Sequence, residues 1–533
     1  MIVLFNPLST TPGKQPLPLS VLSLAAVLEG RHPWTLVDGN VTRDPVGDIT
    51  ALLSGADPEG ADPERVGLPG AGGDPKRVAL LGVTVMPGPQ LTQAVDVCRQ
   101  VRARLPHVPI VWGGYFPTQH TATVLGSVFV DFVIRSQGEQ ALLGLIEEIQ
   151  KLGSLSTAED TEDAKDQTVW PLASSAVGIR TPGVSWKDAA GRVVHNQAGP
   201  MIALDDLPDL PYGRVDMDRY IQPTYLGQRT VAHNSSFGCP FACSFCAVVA
   251  MTNRRWLAQS PGRMEQVLRH LVETYRVDAV QMHDMDFFIS EARVAEFAER
   301  IAPFGIKWWA LGRVDTLMHY SDATWQAMAR SGLKMLFSGA ESASDATLAA
   351  MNKGGQASAR LTLELAGRMK SYGVVPEFSF VLGAPPDPVG DMEKTFEFIR
   401  AIKRVNPATE VILYTYTPVP MDGPLYAEAS RLGFAFPKTL EEWASDEWRQ
   451  IMMRRGDGIP WLDGSIRRQV RDFERVLNAF YPTVTDRRLT ALRRAVLKSV
   501  SGWRYALKVY TAPLELRALQ RLMNYQRPET TGF

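Results

Sequence analysis

The chain has 533 residues, too many for a single core, and its 45% hydrophobic and 21% charged content is ordinary for globular domains. A net charge of −1 gives no electrostatic reason to expect nucleic acid, and no run of about 18 apolar residues offers a membrane span. Four cysteines are too few for a disulfide framework, and the N-terminus lacks the basic flank of a signal peptide, so a reducing cytoplasm is expected.

The first 150 residues alternate strand-like and helix-like segments, the pattern of a parallel sheet with crossover helices. Strands are predicted at Met1–Asn6, Trp34–Asp38, Val78–Val85, Val108–Trp112 and Val130–Ile134, and helices at Leu19–Leu28, Leu91–Leu105 and Glu139–Leu152. A tandem repeat, Gly55-Ala56-Asp57-Pro58-Glu59 then Gly60-Ala61-Asp62-Pro63-Glu64, reads as a loop. The doubly wound sheet this implies binds ligands at the carboxyl ends of its strands, where Thr84, Val85, Gly113 and Gly114 stand. Residues 153 to 170 are an acidic, Ser/Thr-rich linker. Val184–Val194 is a hairpin around Asp188-Ala189-Ala190-Gly191, and the stretch from Ala203 to Pro211 is an extended connector.

Next comes Gly238-Cys239-Pro240-Phe241-Ala242-Cys243-Ser244-Phe245-Cys246, three of the four cysteines in a CxxxCxxC spacing. Three thiolates on one tight loop can hold three corners of an iron-sulfur cube and leave the fourth iron open. The loop, with aromatic Phe245 before its last cysteine, resembles that of the radical S-adenosylmethionine (SAM) enzymes, in which the open iron chelates SAM. Two other readings are a structural zinc site and inert thiols. Zinc needs a fourth ligand, and neither His233 nor the distant Cys98 has the usual spacing. Cys98, alone on its helix, reads as a small packed hydrophobe.

From about Gln228 to Pro424 strands and helices alternate again, with strands predicted at Val231–Ser235, Ala279–Met282, Lys307–Leu311, Met335–Ser338, Val375–Val381 and Val411–Tyr416. Six such units resemble the partial (β/α) barrel of the radical SAM superfamily, whose chemistry sits at the strands' carboxyl ends. The resemblance implies cofactor-binding roles for Asp284 and Asp286, within His283-Asp284-Met285-Asp286, near the amino end of SAM. It implies them likewise for Arg313 and, in the GxES pattern Gly339-Ala340-Glu341-Ser342, for Glu341 near the ribose hydroxyls. Taken singly, these residues could be exposed charges or salt-bridge partners. The segment after about Ala427 is helical, with Trp443, Trp448, Trp461 and Trp503 and many arginines. It could close the barrel mouth, serve packing or oligomerisation, or touch a membrane surface.

Val111-Trp112-Gly113-Gly114-Tyr115-Phe116-Pro117-Thr118, with Arg135-Ser136-Gln137-Gly138-Glu139 downstream, looks like the cobalamin-binding domain that precedes many radical SAM domains. The DxHxxG motif that supplies a histidine to cobalt is absent, since Asn6-Pro7-Leu8-Ser9-Thr10 follows the first strand. The domains expected are therefore a cobalamin-binding-like domain at 1–152, a linker with a hairpin at 153–227, a radical SAM partial barrel at 228–426 and a helical C-terminal domain at 427–533. The fold class is α/β: a Rossmann-like doubly wound sheet, a partial (β/α)6 barrel and a helical extension. The resemblance implies a cobalamin-dependent radical SAM enzyme with a 4Fe-4S cluster on Cys239, Cys243 and Cys246. SAM and cobalamin would be its other cofactors, a small molecule its substrate, and a flavodoxin or ferredoxin its electron donor. Methyl transfer to an unactivated carbon through a 5′-deoxyadenosyl radical is the first expectation. The rivals are an oxidative cyclisation or rearrangement, as in the anaerobic ring cyclase of bacteriochlorophyll synthesis, and a non-catalytic cobalamin or iron-sulfur sensor.

Overall fold

The computed structural model describes residues 1–9, 15–55, 78–156, 178–353, 357–419, 424–451, 458–486 and 489–523. The tandem repeat beyond Gly55 and the linker beyond residue 156 lie outside them. The chain divides into two compact units, one of Met1–Tyr220 with Phe436–Arg449 and one of Ile221–Ala435 with Gln450–Phe533.

The first unit is built on a seven-stranded sheet of β1 (Ile2–Asn6), β2 (Trp34–Asp38), β3 (Leu80–Thr84), β4 (Ile110–Gly113), β5 (Phe132–Ile134), β6 (Val184–Lys187) and β7 (Val193–His195), in the order β2-β1-β3-β4-β5-β6-β7. The first five strands are parallel, and β6 and β7 add an antiparallel hairpin at the edge. Every residue of β1 and β2 is buried, as expected of strands covered by helices on both faces. The chain leaves β1 toward β2 and returns on the other side as β3, which places a topological switch point, and hence a crevice, beside Asn6 and Thr84. A further helix, Pro45–Ser54, is capped by Asp44 accepting from the Gly47 N–H and closed by left-handed Gly55. Cys98 is fully buried and accepts from Trp112 Nε1 at 3.3 Å. Its thiol is pushed up to about 12 by burial.

The second unit carries β8 (Thr230–His233), β9 (Ser236–Gly238), β10 (Trp256–Ala258), β11 (Ala279–Met282), β12 (Lys307–Leu311), β13 (Leu333–Glu341), β14 (Val375–Leu382) and β15 (Glu410–Thr415). Six of them form a parallel sheet in the order β15-β14-β13-β12-β11-β8, so each helix returns the chain one strand along in the same sense. Helices Pro261–Tyr275, Glu291–Ile301, Asp322–Arg330, Ala359–Ser371 and Pro388–Val405 make the crossovers. Each starts at a serine or aspartate, Ser260, Ser290, Ser321, Ser358 and Asp387, whose side chain accepts the N–H three residues on. Such caps contribute about 1 kcal/mol apiece. β9 and β10 form a separate antiparallel pair that brackets the cysteine loop and that sequence patterning does not reveal.

The region after Ala427 is divided between the units. Phe436–Arg449 belongs to the first, where the Trp443 ring lies 4.3 Å from His120 and 5.1 Å from Phe116. The helices Gly464–Phe480, Ala491–Leu507 and Leu514–Leu522 belong to the second. The first two pack on the Pro388–Val405 helix, with Phe396 stacked on Phe473 at 3.8 Å and Arg400 Nη1 donating to the Tyr505 carbonyl, and the third is tied to them by Arg517 with Asp472 and Arg504 with Glu515. Trp461 reaches a strand end, donating to the Gly383 carbonyl at 2.8 Å. Among the described residues, no helix is long and apolar enough to cross a membrane.

Burial among aromatic rings lowers the pKa of His120 from 6.5 to about 4. The folded chain thus keeps this ring neutral where the unfolded chain would protonate it. As pH falls from 6.5 toward 4 the unfolded state takes up the proton first and stability declines, by at most about 3 kcal/mol. His120→Phe should lessen that decline, measured by chemical denaturation at the two ends of the window. An unaltered pH dependence would exclude His120 as its source.

Candidate active site

The cysteine loop starts where β9 ends. Gly238 has φ of +85°, and a Cβ there would sit 2.1 Å from the Arg255 carbonyl oxygen across the β9–β10 pair, so no side chain fits. The loop is then held from outside. Ser244 donates through its N–H to the Met351 carbonyl at 2.9 Å and through Oγ to that of Ala350 at 3.1 Å, and Asn352 Nδ2 donates to the Ala242 carbonyl at 2.9 Å. These partners lie at the end of the short helix Asp345–Ala350 that follows β13 and just past it.

Cys243 is buried, while Cys239 and Cys246 are partly exposed. Burial, reinforced by Asp286 and the neighbouring thiols, pushes Cys239 up to about 11 against the Phe241 N–H, and burial also raises Cys246 against the Val248 N–H. A soft cation would reverse this by binding the thiolates. Among the described residues no three His, Cys, Asp or Glu side chains converge as a single-ion site requires. A cube of four irons asks for something else, one thiolate at each of three corners. Of the fourth ligands considered for zinc, His233 pairs through Nε2 with Gln259 Oε1 at 3.0 Å, and Cys98 is fully buried against Trp112.

The strand-end residues of the second unit gather beside this loop, and the four charged ones are buried rather than exposed. Asp284 (1% exposed) accepts from the Ser235 N–H and Oγ, and Ser235 Oγ also receives Arg293 Nη2. Both its oxygens are therefore occupied in fixing the turn after β8. Asp286, equally buried, accepts from the Phe288 N–H through Oδ1, while its Oδ2 has no partner among the described residues. Burial pushes its carboxyl up to about 7, with Phe288 and Arg313 opposing. Arg313 grips Asp315 through Nε and Nη2 at 3.0 and 2.6 Å, lies 3.8 Å from the Phe241 ring centroid and donates through Nη1 to the Cys243 sulfur at 3.2 Å.

Glu341 ends β13 at an irregularity in the register with β14 and adopts φ of +61°, an arrangement that costs a non-glycine residue about 1–3 kcal/mol. Its carboxylate folds back over Gly339, where a Cβ would meet Oε1 at 2.0 Å, and pairs with the buried Lys353 ammonium. Despite its burial Lys353 is held protonated by Glu341 and Cys243. Lys353 Nζ stands 5.6 Å from the Phe245 ring centroid, and Phe245 packs on Met351, Ala384, Tyr416 and Leu425. Lys353 and Asp315 are the members of this cluster that sequence reasoning missed. Asp315 stands two residues after Arg313, a spacing that could have suggested a pair. Lys353 offers no such signal, because a loop brings it in.

In the first unit, Gly114 has φ of +96°, and an added Cβ would lie 3.1 Å from Thr84 Oγ1 and 3.3 Å from the Val85 nitrogen. That Cβ would point at the carboxyl end of β3, whereas one at Gly113 would make only ordinary contact with Ile134 at 3.7 Å. Ser136 is also left-handed at φ of +66°, and its buried Oγ, like Oε2 of Glu139, has no partner among the described residues. Gln137 is engaged with the Ile202 backbone. Orphaned polar atoms beside strand ends suit a polar ligand such as a nucleotide tail. The turn after β1 holds no histidine and is tied down by its own bonds, Ser9 to Asn40 and Asn6 to Asp38.

Residues 233–399 match the model of the Radical SAM superfamily. The chain is 24% identical over 389 residues to an uncharacterized methyltransferase of Pyrococcus horikoshii, covering 72% of this chain and 73% of that one. It is 26% identical over 268 residues to the anaerobic magnesium-protoporphyrin IX monomethyl ester cyclase of Synechocystis, 49% of this chain and about half (48%) of the cyclase's length. Among solved structures it resembles the radical S-adenosylmethionine methyltransferase TsrM of Kitasatospora setae, solved with cobalamin and a [4Fe-4S] cluster, with a TM-score of 0.61 at 15% identity over 98% of both chains. Residues 233–399 thus carry a domain of the Radical SAM superfamily. The two-sheet fold of the chain is the one seen in that cobalamin-bound methyltransferase.

Replacing Cys239, Cys243 or Cys246 by Ala should abolish the visible absorption of a reconstituted cluster, and replacing Cys98 should leave it. Full cluster absorption in the Cys243→Ala protein would remove that residue from the ligand set.

Proposed function

We propose that this protein transfers a methyl group to an unactivated carbon of a small molecule, using a 4Fe-4S cluster, SAM and cobalamin. The observation that carries the proposal is the three-thiol loop set among buried, partnered charges at the carboxyl ends of a parallel sheet. Support comes from the two similar methyltransferases, one matched over nearly three quarters of each chain and one sharing the whole fold. When bound, the cluster and SAM supply hydrogen-atom abstraction, and cobalamin supplies the methyl group.

The chain's own part is placement. Cys239, Cys243 and Cys246 hold three irons. Asp286 offers its unpaired Oδ2 to the methionyl ammonium, a charge-assisted bond of about 1.5–3 kcal/mol. Asp284 is a positioning residue, since Ser235 occupies both its oxygens. Glu341 is the acceptor for the ribose hydroxyls, with its carboxylate paired to Lys353. Phe245 packs behind the loop. Thr84, Val85, Gly113, Gly114 and the Ser136 hydroxyl line the strand ends that would receive cobalamin, without a histidine on cobalt from the turn after β1. A flavodoxin or ferredoxin type of donor would deliver the electron.

The cyclase likeness sustains a second reading, oxidative ring closure, and one experiment separates the two. Reconstituted protein is incubated anaerobically with cobalamin, SAM bearing a deuterated methyl group and a cellular small-molecule extract. Methyl transfer predicts a product carrying the label. An unlabelled product that has lost hydrogen would favour cyclisation, and absence of SAM turnover would favour a sensor. Separately, Gly114→Val should lose cobalamin binding while keeping the iron-sulfur cluster, because the left-handed turn and its contacts with Thr84 and Val85 exclude a branched side chain. Wild-type cobalamin uptake by that variant would dissociate this turn from the cofactor.

A further inference from the structure

We infer that Arg313, oriented by Asp315 and reinforced by Lys353, raises the reduction potential of a cluster on Cys239, Cys243 and Cys246 by donating a hydrogen bond to the Cys243 sulfur. The inference rests on the three-thiolate reading above. Each of the three sulfurs has an N–H directed at it. For Cys239 and Cys246 the donors are the backbone amides of Phe241 and Val248, which the loop's own geometry fixes. For Cys243 the donor is the Arg313 side chain, seventy positions further along the chain.

The guanidinium has a defined orientation. Asp315 takes Nε and Nη2, the Lys353 carbonyl also accepts from Nη2, and the Phe241 ring covers one face, which leaves Nη1 for sulfur. The anions within reach are Asp315, Asp286 and Cys243, and those of Lys353 are Glu341 and Cys243. Both cations are buried, at 6% and 7% exposure, so water does little to screen them. Reduction adds negative charge to the cluster and its thiolates. An N–H donor and nearby positive charge therefore stabilise the reduced state more than the oxidised one, which moves the potential upward. A purely structural Arg313, tying the loop to Lys353 and Phe241, would change how much cluster assembles and leave the midpoint of the assembled cluster where it was.

The test is a redox titration of the reconstituted full chain, without SAM or substrate, followed by electron paramagnetic resonance with dithionite as reductant. Arg313→Gln should shift the midpoint to more negative potential, reducing the ratio of reduced to oxidised cluster at a fixed potential about tenfold, or about 59 mV for one electron. Lys353→Met should shift it in the same direction, and Lys353→Arg should stay near the wild type. Sulfur K-edge absorption should show greater iron–thiolate covalency in Arg313→Gln, as one sulfur loses its donor. A wild-type midpoint in an Arg313→Gln protein with full iron content overturns the inference. Should that variant fail to assemble a cluster, Lys353→Met decides, and an unshifted midpoint there overturns it. Failure of the underlying reading looks different, since a Cys243→Ala protein would then retain its cluster.

Discussion

The cysteine loop is not held together by its own thiols, all of which are free. The stretch from Gly238 to Cys246 has little regular structure of its own, so its shape is imposed by the ends of other elements. The β9–β10 pair closes it at one side, Met351, Ala350 and Asn352 bind Ser244 and Ala242, and Arg313 stacks on Phe241. Those partners hang from β12 and β13, central strands of the six-stranded sheet. The sulfurs are thus positioned from the centre of the sheet, and a cofactor site needs such support if its geometry is to be held closely.

The same crowding explains the electrostatics. Arg313 with Asp315 and Lys353 with Glu341 are buried pairs, whose members would be expensive to bury alone. Each pair leaves a directed remainder: a guanidinium N–H for sulfur in one, a carboxylate over a glycine in the other. Asp286 is the exception, a buried carboxyl with an unpaired oxygen and a raised pKa. Perturbed, incompletely satisfied groups of this kind concentrate where ligands bind. In the first unit the unpartnered Ser136 hydroxyl stands in a similar relation to the strand ends there.

Much of the architecture was legible because local pattern and tertiary role coincide. β11 and β12 begin and end where their apolar runs do, and β1 and β2 differ from the reading by a residue at most. Serine caps and glycine turns mark the same boundaries. The antiparallel β9–β10 pair was not legible, since three-residue strands flanking a cysteine loop carry too little periodicity to register. Nor was the division of the C-terminal region. Phe436–Arg449 reads like its helical neighbours, and its membership of the first unit depends on aromatic contacts of Trp443 with Phe116 and His120 that no sequence spacing encodes.

The sequence by itself determined the chemistry on offer. CxxxCxxC puts three thiols on one loop, the missing DxHxxG leaves the turn after β1 without a histidine, and apolar runs alternating with helices point to parallel sheets. Tertiary structure decided which of the candidate charges are free to act. Asp284 and Asp286 are two residues apart and look interchangeable in the chain, yet Ser235 occupies both oxygens of one, while among the described residues only Oδ1 of the other has a partner. Lys353, silent in the sequence, becomes the partner of Glu341. The reason is physical: a carboxylate's role depends on which donors share its desolvated space, and those donors come from strands and loops tens of residues away, brought together by sheet order.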